Sequence, residues 1–262
     1  MRRSWIPLAL LALFAFGGPL VYRIDPNAID LGRTVAGMSW AHPLGTDESG
    51  RDLLARLMTG GQVSHVIGEL AGLIALLVGT VVGARATGRR RWLSAVTSRL
   101  LDASMAVPAF FILLVTVTLF GGSTATLVAA IGLTAWMSIA RLVRAESLSL
   151  RERDYVLVAR ALGQPPAALF ARHILPHLVP TLMAAASVGV AQAVLTESAL
   201  SFLGLGIEPP MASWGNMLTG AQQNLAQAPW LAIYPGLLIV LTVLAANSIG
   251  ERVSNAGAGL RN

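Results

Sequence analysis

Carboxyl groups placed near hydrocarbon are the residues of this chain that most need an explanation. A charge at the centre of a membrane-spanning helix costs roughly 2.5–3.5 kcal/mol, yet Glu69, Asp102 and Glu197 fall near or within long apolar stretches. Such acids either line a polar path or sit at a helix end, where the carboxylate reaches water or an arginine of a neighbouring subunit. Glu197, followed by Ser198 and with Ser201 one turn on, is expected at the outer mouth of a path, with the serines beside it. Asp102 and Glu69 fit the helix-end reading better. Gln192, Thr196 and Asn247 have the chemistry to hydrogen-bond between helices.

Other reactive groups are missing or unassembled. All 19 basic residues are arginine. Without lysine there is neither a phosphate-cradling GxxxxGK[ST] loop nor a Schiff base. Without cysteine there is no thiol nucleophile, disulfide or thiolate metal site. His42, His65, His173 and His177 are scattered with no HExxH pair, and no serine stands in a GxSxG turn. The sequence therefore assigns this chain no catalytic residue, metal or bound cofactor.

The elements that must position these groups are membrane spans. Residues are 55% hydrophobic and 12% charged, with a mean hydropathy of +0.66, where soluble domains carry about 25% charged residues. A span needs about 20 apolar residues, and that criterion predicts six: Trp5–Tyr22, Val63–Val82, Ala103–Phe120 with a kink at Pro108, Ala125–Leu142, Leu178–Leu200 and Trp230–Ile249. The first is read as a retained anchor, since no small-residue cleavage pattern follows it. Between the first two lies an external segment, residues 23–62, with a short amphipathic helix from Arg51 to Met58 that Gly60 and Gly61 are expected to end. The chain thus divides into 1–22, 23–62 and a core of 63–262.

Four arginines (Arg23, Arg33, Arg51, Arg56) fall on one side of this path and fifteen on the other. The arginine-rich side is the cytoplasm, which puts both termini inside. The net charge of +6 is thereby explained by topology, and no nucleic-acid partner is implied. Trp5, Trp40, Trp92, Trp214 and Trp230 stand at or beyond span ends, as interfacial anchors do.

One stretch, residues 150–176, is too polar to span yet regular in its apolar spacing. Tyr155, Val156, Val158, Ala159 and Leu162 recur at helical intervals, Gly163 can end the helix left-handed, Pro165 and Pro166 start a second helix, and Pro176 is expected to end it. From pattern alone such a helix either rests in the lipid interface or offers a grip to a partner.

Several strings resemble known importers. Asp154-Tyr155-Val156, Ala159-Arg160-Ala161-Leu162-Gly163 and Arg172-His173-Ile174-Leu175-Pro176 resemble the coupling loop of bacterial ATP-binding-cassette (ABC) importer permeases, with Leu157 and Val158 where the family's EAA motif has Glu and Ala. His42-Pro43-Leu44-Gly45-Thr46-Asp47 with Gly50-Arg51-Asp52 is similar to the HPLGTDxxGRD string of the dipeptide, oligopeptide and nickel subfamily. So are the stretches from Leu195 to Gly206 and from Ala212 to Leu218. The resemblance implies an all-α integral membrane protein of the type I ABC importer permease fold, six transmembrane helices with a coupling helix, in a bacterial inner membrane. Its implied partners are a homologous permease in a heterodimer, two ATPases that use ATP and Mg, an external substrate-binding protein and membrane lipid. The implied ATPase-docking residues are Asp154, Tyr155, Val156, Ala159, Arg160, Ala161, Leu162 and Gly163, with Arg160 meeting an acidic group. The implied solute is a di- or oligopeptide; alternatives are nickel or a metal chelate. An ion-gradient-driven carrier is the rival from another class, and it would need an intramembrane ion site and matched halves.

Overall fold

The computed structural model describes residues 5–88 and 91–259. Among them are helices and loops, with one isolated bridge between Thr46 and Asp52. In chain order the helices are α1 (Trp5–Val21), α2 (Leu53–Arg85), α3 (Arg91–Ser104), α4 (Ala109–Phe120), α5 (Thr124–Leu150), α6 (Asp154–Ala161), α7 (Pro166–Phe202), α8 (Trp214–Ala221) and α9 (Trp230–Gly259). Helices α2, α5, α7 and α9 are long and apolar enough to cross a bilayer. Their outward faces carry large apolar residues, among them Leu73, Leu77, Leu133, Leu195 and Leu244, which lipid accepts and water would not.

Two of the six expected spans look different in the structure. The first, α1, has 17 residues and contains a π-helical turn at Leu13–Gly17. The third is a bent pair: α3 and α4 meet at 78°. Pro108 therefore breaks the helix where a kink was expected. It has no N–H to give the preceding turn, it disfavours helical geometry at Val107, and it becomes the N-cap of α4.

Two expected stops are also overrun. Gly60 and Gly61 do not end a short helix; α2 runs through them and through the anticipated 62/63 boundary. They are there for close packing. A Cβ on Gly61 would stand 2.8 Å from the Trp214 ring and 3.1 Å from Ala15 Cβ, and one on Gly60 3.2 Å from the Ser213 backbone. Further along, Gly68 admits Val194 of α7 and Gly79 admits Ile139 of α5 in the same way. Pro176 does not end its helix either. The π turn at Phe170–Ile174 widens the backbone just before it, and α7 continues to Phe202 with Pro180 inside.

Three apolar clusters stack along the bundle. Leu53, Leu57, Trp214, Met217 and Leu231 close one end. Ile67, Ala71, Leu113, Leu127 and Leu200 fill the middle, and Ala75, Ile139, Val143, Val156, Ile174 and Leu178 close the other.

Candidate functional site

Both ends of the bundle and the cleft between them bear on function. At the first end the HPLGTDESGRD string folds into a polar knot that caps α2. Asp52 is the N-cap: its Oδ1 accepts from Ala55 N–H at 2.7 Å, which satisfies one of the free donors of a helix start. Its Oδ2 accepts from Tyr22 Oη at 2.8 Å and stands 2.8 Å from His42 Nδ1, tying the end of α1 to the start of α2. Burial, then the hydrogen bond and charge of Asp52, hold the Tyr22 phenol well above its usual pKa. Asp47 accepts from Arg51 Nε at 2.7 Å and from Arg51 N–H at 2.9 Å, and Arg56 Nε lies 3.2 Å from the same carboxylate. Arg56 also reaches Pro26 O and Pro210 O, so it joins the loop before α2 to the loop before α8.

Glu197, Ser198 and Ser201, expected together at the mouth of a path, form one polar cluster in this structure. All three are buried, Glu197 at 0% exposure. The Glu197 carboxylate accepts from Ser64 Oγ of α2 at 3.0 Å, Ser201 Oγ at 2.7 Å and Ser198 Oγ at 3.4 Å. Ser201 Oγ in turn accepts from Ile207 N–H, and Ser64 Oγ from Trp214 N–H. The carboxylate is thus used to hold α2, α7 and the start of α8 together, because a buried acid needs donors on its oxygens. Trp214, expected at an interface, is fully buried and donates its indole N–H to Leu57 O at 2.9 Å.

A cleft of about 1020 Å³ opens between α2, α4, α5, α7 and α9. Its walls mix apolar groups such as Ala75, Leu113 and Val188 with Thr134, Ser138, Gln192 and Thr196, and Glu251 and Ser254 lie on the α9 wall. Gln192 and Thr196 accordingly face this cleft, and Thr196 Oγ1 donates within its own helix to Gln192 O at 2.7 Å. The sequence had pointed to them only as interhelical partners.

At the second end, α6 forms an elbow between α5 and α7. Gly163 ends it at φ +81°, the left-handed geometry expected of it. The docking set divides into two faces. Val156 (0% exposed) and Ala159 (5%) are buried against Val143, Ile174 and Leu178 of the chain itself. Asp154, Tyr155, Arg160, Ala161, Leu162 and Gly163 are exposed, as are Leu157 and Val158; Leu162 is 79% exposed. The ring of Tyr155 stacks on His177 at 5.3 Å, and Gln164 Oε1 stands 2.9 Å from His173 Nε2, so both side chains brace the elbow on the start of α7. Burial, then the like charge of Arg160, lower the pKa of Arg151 beside it.

The family described as the binding-protein-dependent transport system inner membrane component matches residues 75–256, which include the cleft and the whole elbow. The chain belongs to this family. It is an inner-membrane transport component and crosses the membrane several times. The ion-gradient carrier reading is thereby set aside. A peptide permease protein of Brucella suis is 40% identical over 240 residues, 91% of this chain and 80% of that protein. An oligopeptide transport system permease protein of Salmonella typhimurium is 35% identical over 97% of this chain and 84% of its own length. A glutathione transport system permease protein of Pectobacterium atrosepticum is 35% identical over 94% of this chain and 82% of its own length. In fold, this permease is similar to a chain of the inward-facing MetNI methionine ABC transporter, with a TM-score of 0.61, 20% identity and coverage of 77% of this chain and 95% of that one.

Sequence reasoning missed Tyr22, Ser64 and Arg56 as structural partners. Each contacts a residue at least 30 positions away in sequence or in a different loop, so no local spacing could have found them. Ser213 was legible in principle: it starts a capping box with Asn216, a pattern with a four-residue signature.

Proposed function

We propose that this chain is one permease half of an ATP-driven importer that carries peptides from an external binding protein into the cytoplasm. The observation that carries the reading is the elbow. A short helix buried on one side through Val156 and Ala159 presents Leu157, Val158 and Leu162 on the other, where they stay exposed among the described residues. A partner ATPase would seat that exposed face, and its closure would move the elbow as a lever on α5 and α7. Buried Val156 and Ala159 then transmit the motion, while Tyr155, Arg160, Leu162 and Gly163 make the contact. The arginine excess on this side supports a cytoplasmic elbow and cytoplasmic termini.

The names of the relatives support a peptide as the solute, and the cleft suits one. Spaced hydroxyls and an amide on an aliphatic wall can exchange hydrogen bonds with a peptide backbone without selecting its side chains. A homologous permease facing this cleft would complete the passage. ATP and Mg act in the ATPases, and this chain contributes no group to hydrolysis.

The test is co-expression with the neighbouring permease and ATPase genes, purification on a tag carried by this chain, and reconstitution into liposomes. The expected result is a complex containing both ATPases that takes up labelled dipeptide only when ATP and the binding protein are present. A chain that purifies without ATPases, or uptake driven by an ion gradient without ATP, would overturn the proposal.

A further inference from the structure

Glu69 is the middle residue of α2: sixteen residues of the helix precede it and sixteen follow it. At 1.5 Å per residue the helix is about 50 Å long, and hydrocarbon is about 30 Å thick. Any slab of that thickness lying within the helix contains its midpoint, so Glu69 lies within the hydrocarbon layer however the bilayer sits. Yet its side chain is 60% exposed, on an outward face shared with Leu70, Leu73 and Leu77.

No described residue accounts for a carboxyl group there. Among the described residues its one ionisable neighbour is His65, one turn back, with Nδ1 3.8 Å from Glu69 Oε1, too far for a hydrogen bond. His65 is itself 1% exposed and held edge-on against Trp214, and neither of its ring nitrogens has a partner. A fixed, buried, unpartnered imidazole and an outward carboxyl thus form one incomplete polar site at the edge of a lipid-sized helix face. Lipid cannot complete it, since it has no donors at that depth. The solute cleft does not reach it. The only α2 residue on the cleft wall is Ala75, and six residues further along a helix means a direction about 120° away.

We infer that the α2 face bearing Glu69, Leu73 and Leu77 is the seat of a transmembrane helix of the second permease. That helix brings a hydrogen-bond donor (an arginine, asparagine, serine or threonine side chain) to the Glu69–His65 pair. This inference rests on the heterodimer proposed above, whose second permease faces the cleft, and adds a further surface of contact with it about 120° around α2. Leu70, Leu73 and Leu77 supply the packing, and the acid fixes register and partner, since a helix without a donor leaves the carboxyl uncompensated.

The experiment uses the assembled complex. Leu73, one turn from Glu69, is replaced by benzoylphenylalanine, and the complex is irradiated in membranes. An adduct with the second permease is expected. An adduct with lipid, with the binding protein or with the chain's own residues 1–4, or no adduct at all, overturns the inference. In parallel, Glu69→Leu is expected to lower the second permease recovered with this chain by about three- to tenfold, the size of one interhelical hydrogen bond. Glu69→Gln, which can still accept, should stay within about twofold, and equal recovery with both variants overturns it. If the wild-type chain brings down no second permease, the importer reading fails and takes this with it. If the wild type assembles but Leu73 and Glu69 give the opposing results, only the assigned surface is wrong.

Discussion

Replacing Gly163 separates the geometry of the elbow from its chemistry. The residue sits at φ +81° with a Cβ position that meets nothing within 4 Å. A substitution there therefore adds no clash, and its whole cost is backbone strain. For an L residue that cost is about 1–2 kcal/mol, with asparagine partly excused and β-branched residues worst. At 1.36 kcal/mol per factor of ten, the population holding the native turn falls about five- to thirtyfold against alternatives that swing α6 out of line. Two hydrogen bonds report on the same turn, from Gly163 N–H to Arg160 O at 3.0 Å and from Gln164 N–H to Ala159 O at 3.3 Å. The assay is the ratio of peptide imported to ATP hydrolysed in liposomes containing the full complex, with co-purified ATPase as the assembly control. The expected order is Gly, then Asn, then Ala, then Val, with the ratio falling through the series while the chain still inserts. A Gly163→Val complex as well coupled as the wild type would refute the reasoning, as would Asn and Val variants that behave alike.

Val156→Asp places an unpaired charge in the chain's own core, at a cost of several kcal/mol. It should lower thermal stability and detach the ATPases together, whereas Val158→Asp, 58% exposed, should detach them with the melting temperature unchanged; the pair is read by pull-down and by a melt in detergent. Glu197→Ala removes the acceptor shared by Ser64, Ser198 and Ser201 and leaves a void, worth about 2–4 kcal/mol. A clearly lower melting temperature is expected, and an unchanged one would contradict the cage. Tyr22, followed by absorbance in a Tyr155→Phe, Tyr234→Phe background, should ionise well above the usual tyrosine pKa of about 10. Because the folded value is raised, its contribution to stability is complete below about pH 10 and is lost as pH climbs past that; Asp52→Asn should bring the titration back down.

The membrane class, the four long spans, the elbow and its left-handed glycine were all readable from the chain, because each depends on neighbours within one or two helical turns. Hydrocarbon thickness sets span length, and a stripe of Tyr155, Val156, Ala159 and Leu162 needs only the helical period to be seen. Local signals failed where a residue serves a distant partner. Gly60 and Gly61 look like a stop and are a groove for Trp214; Pro176 looks like an end and lies within α7 just after a π turn; Glu197 looks like an acid near a span end, and no spacing shows that it clamps three elements. Which face of α6 is buried, which acid is caged and which is left facing outward were decided only when the helices packed. Packing partners lie tens to more than a hundred residues apart, and helical periodicity holds no information about what stands across the interface.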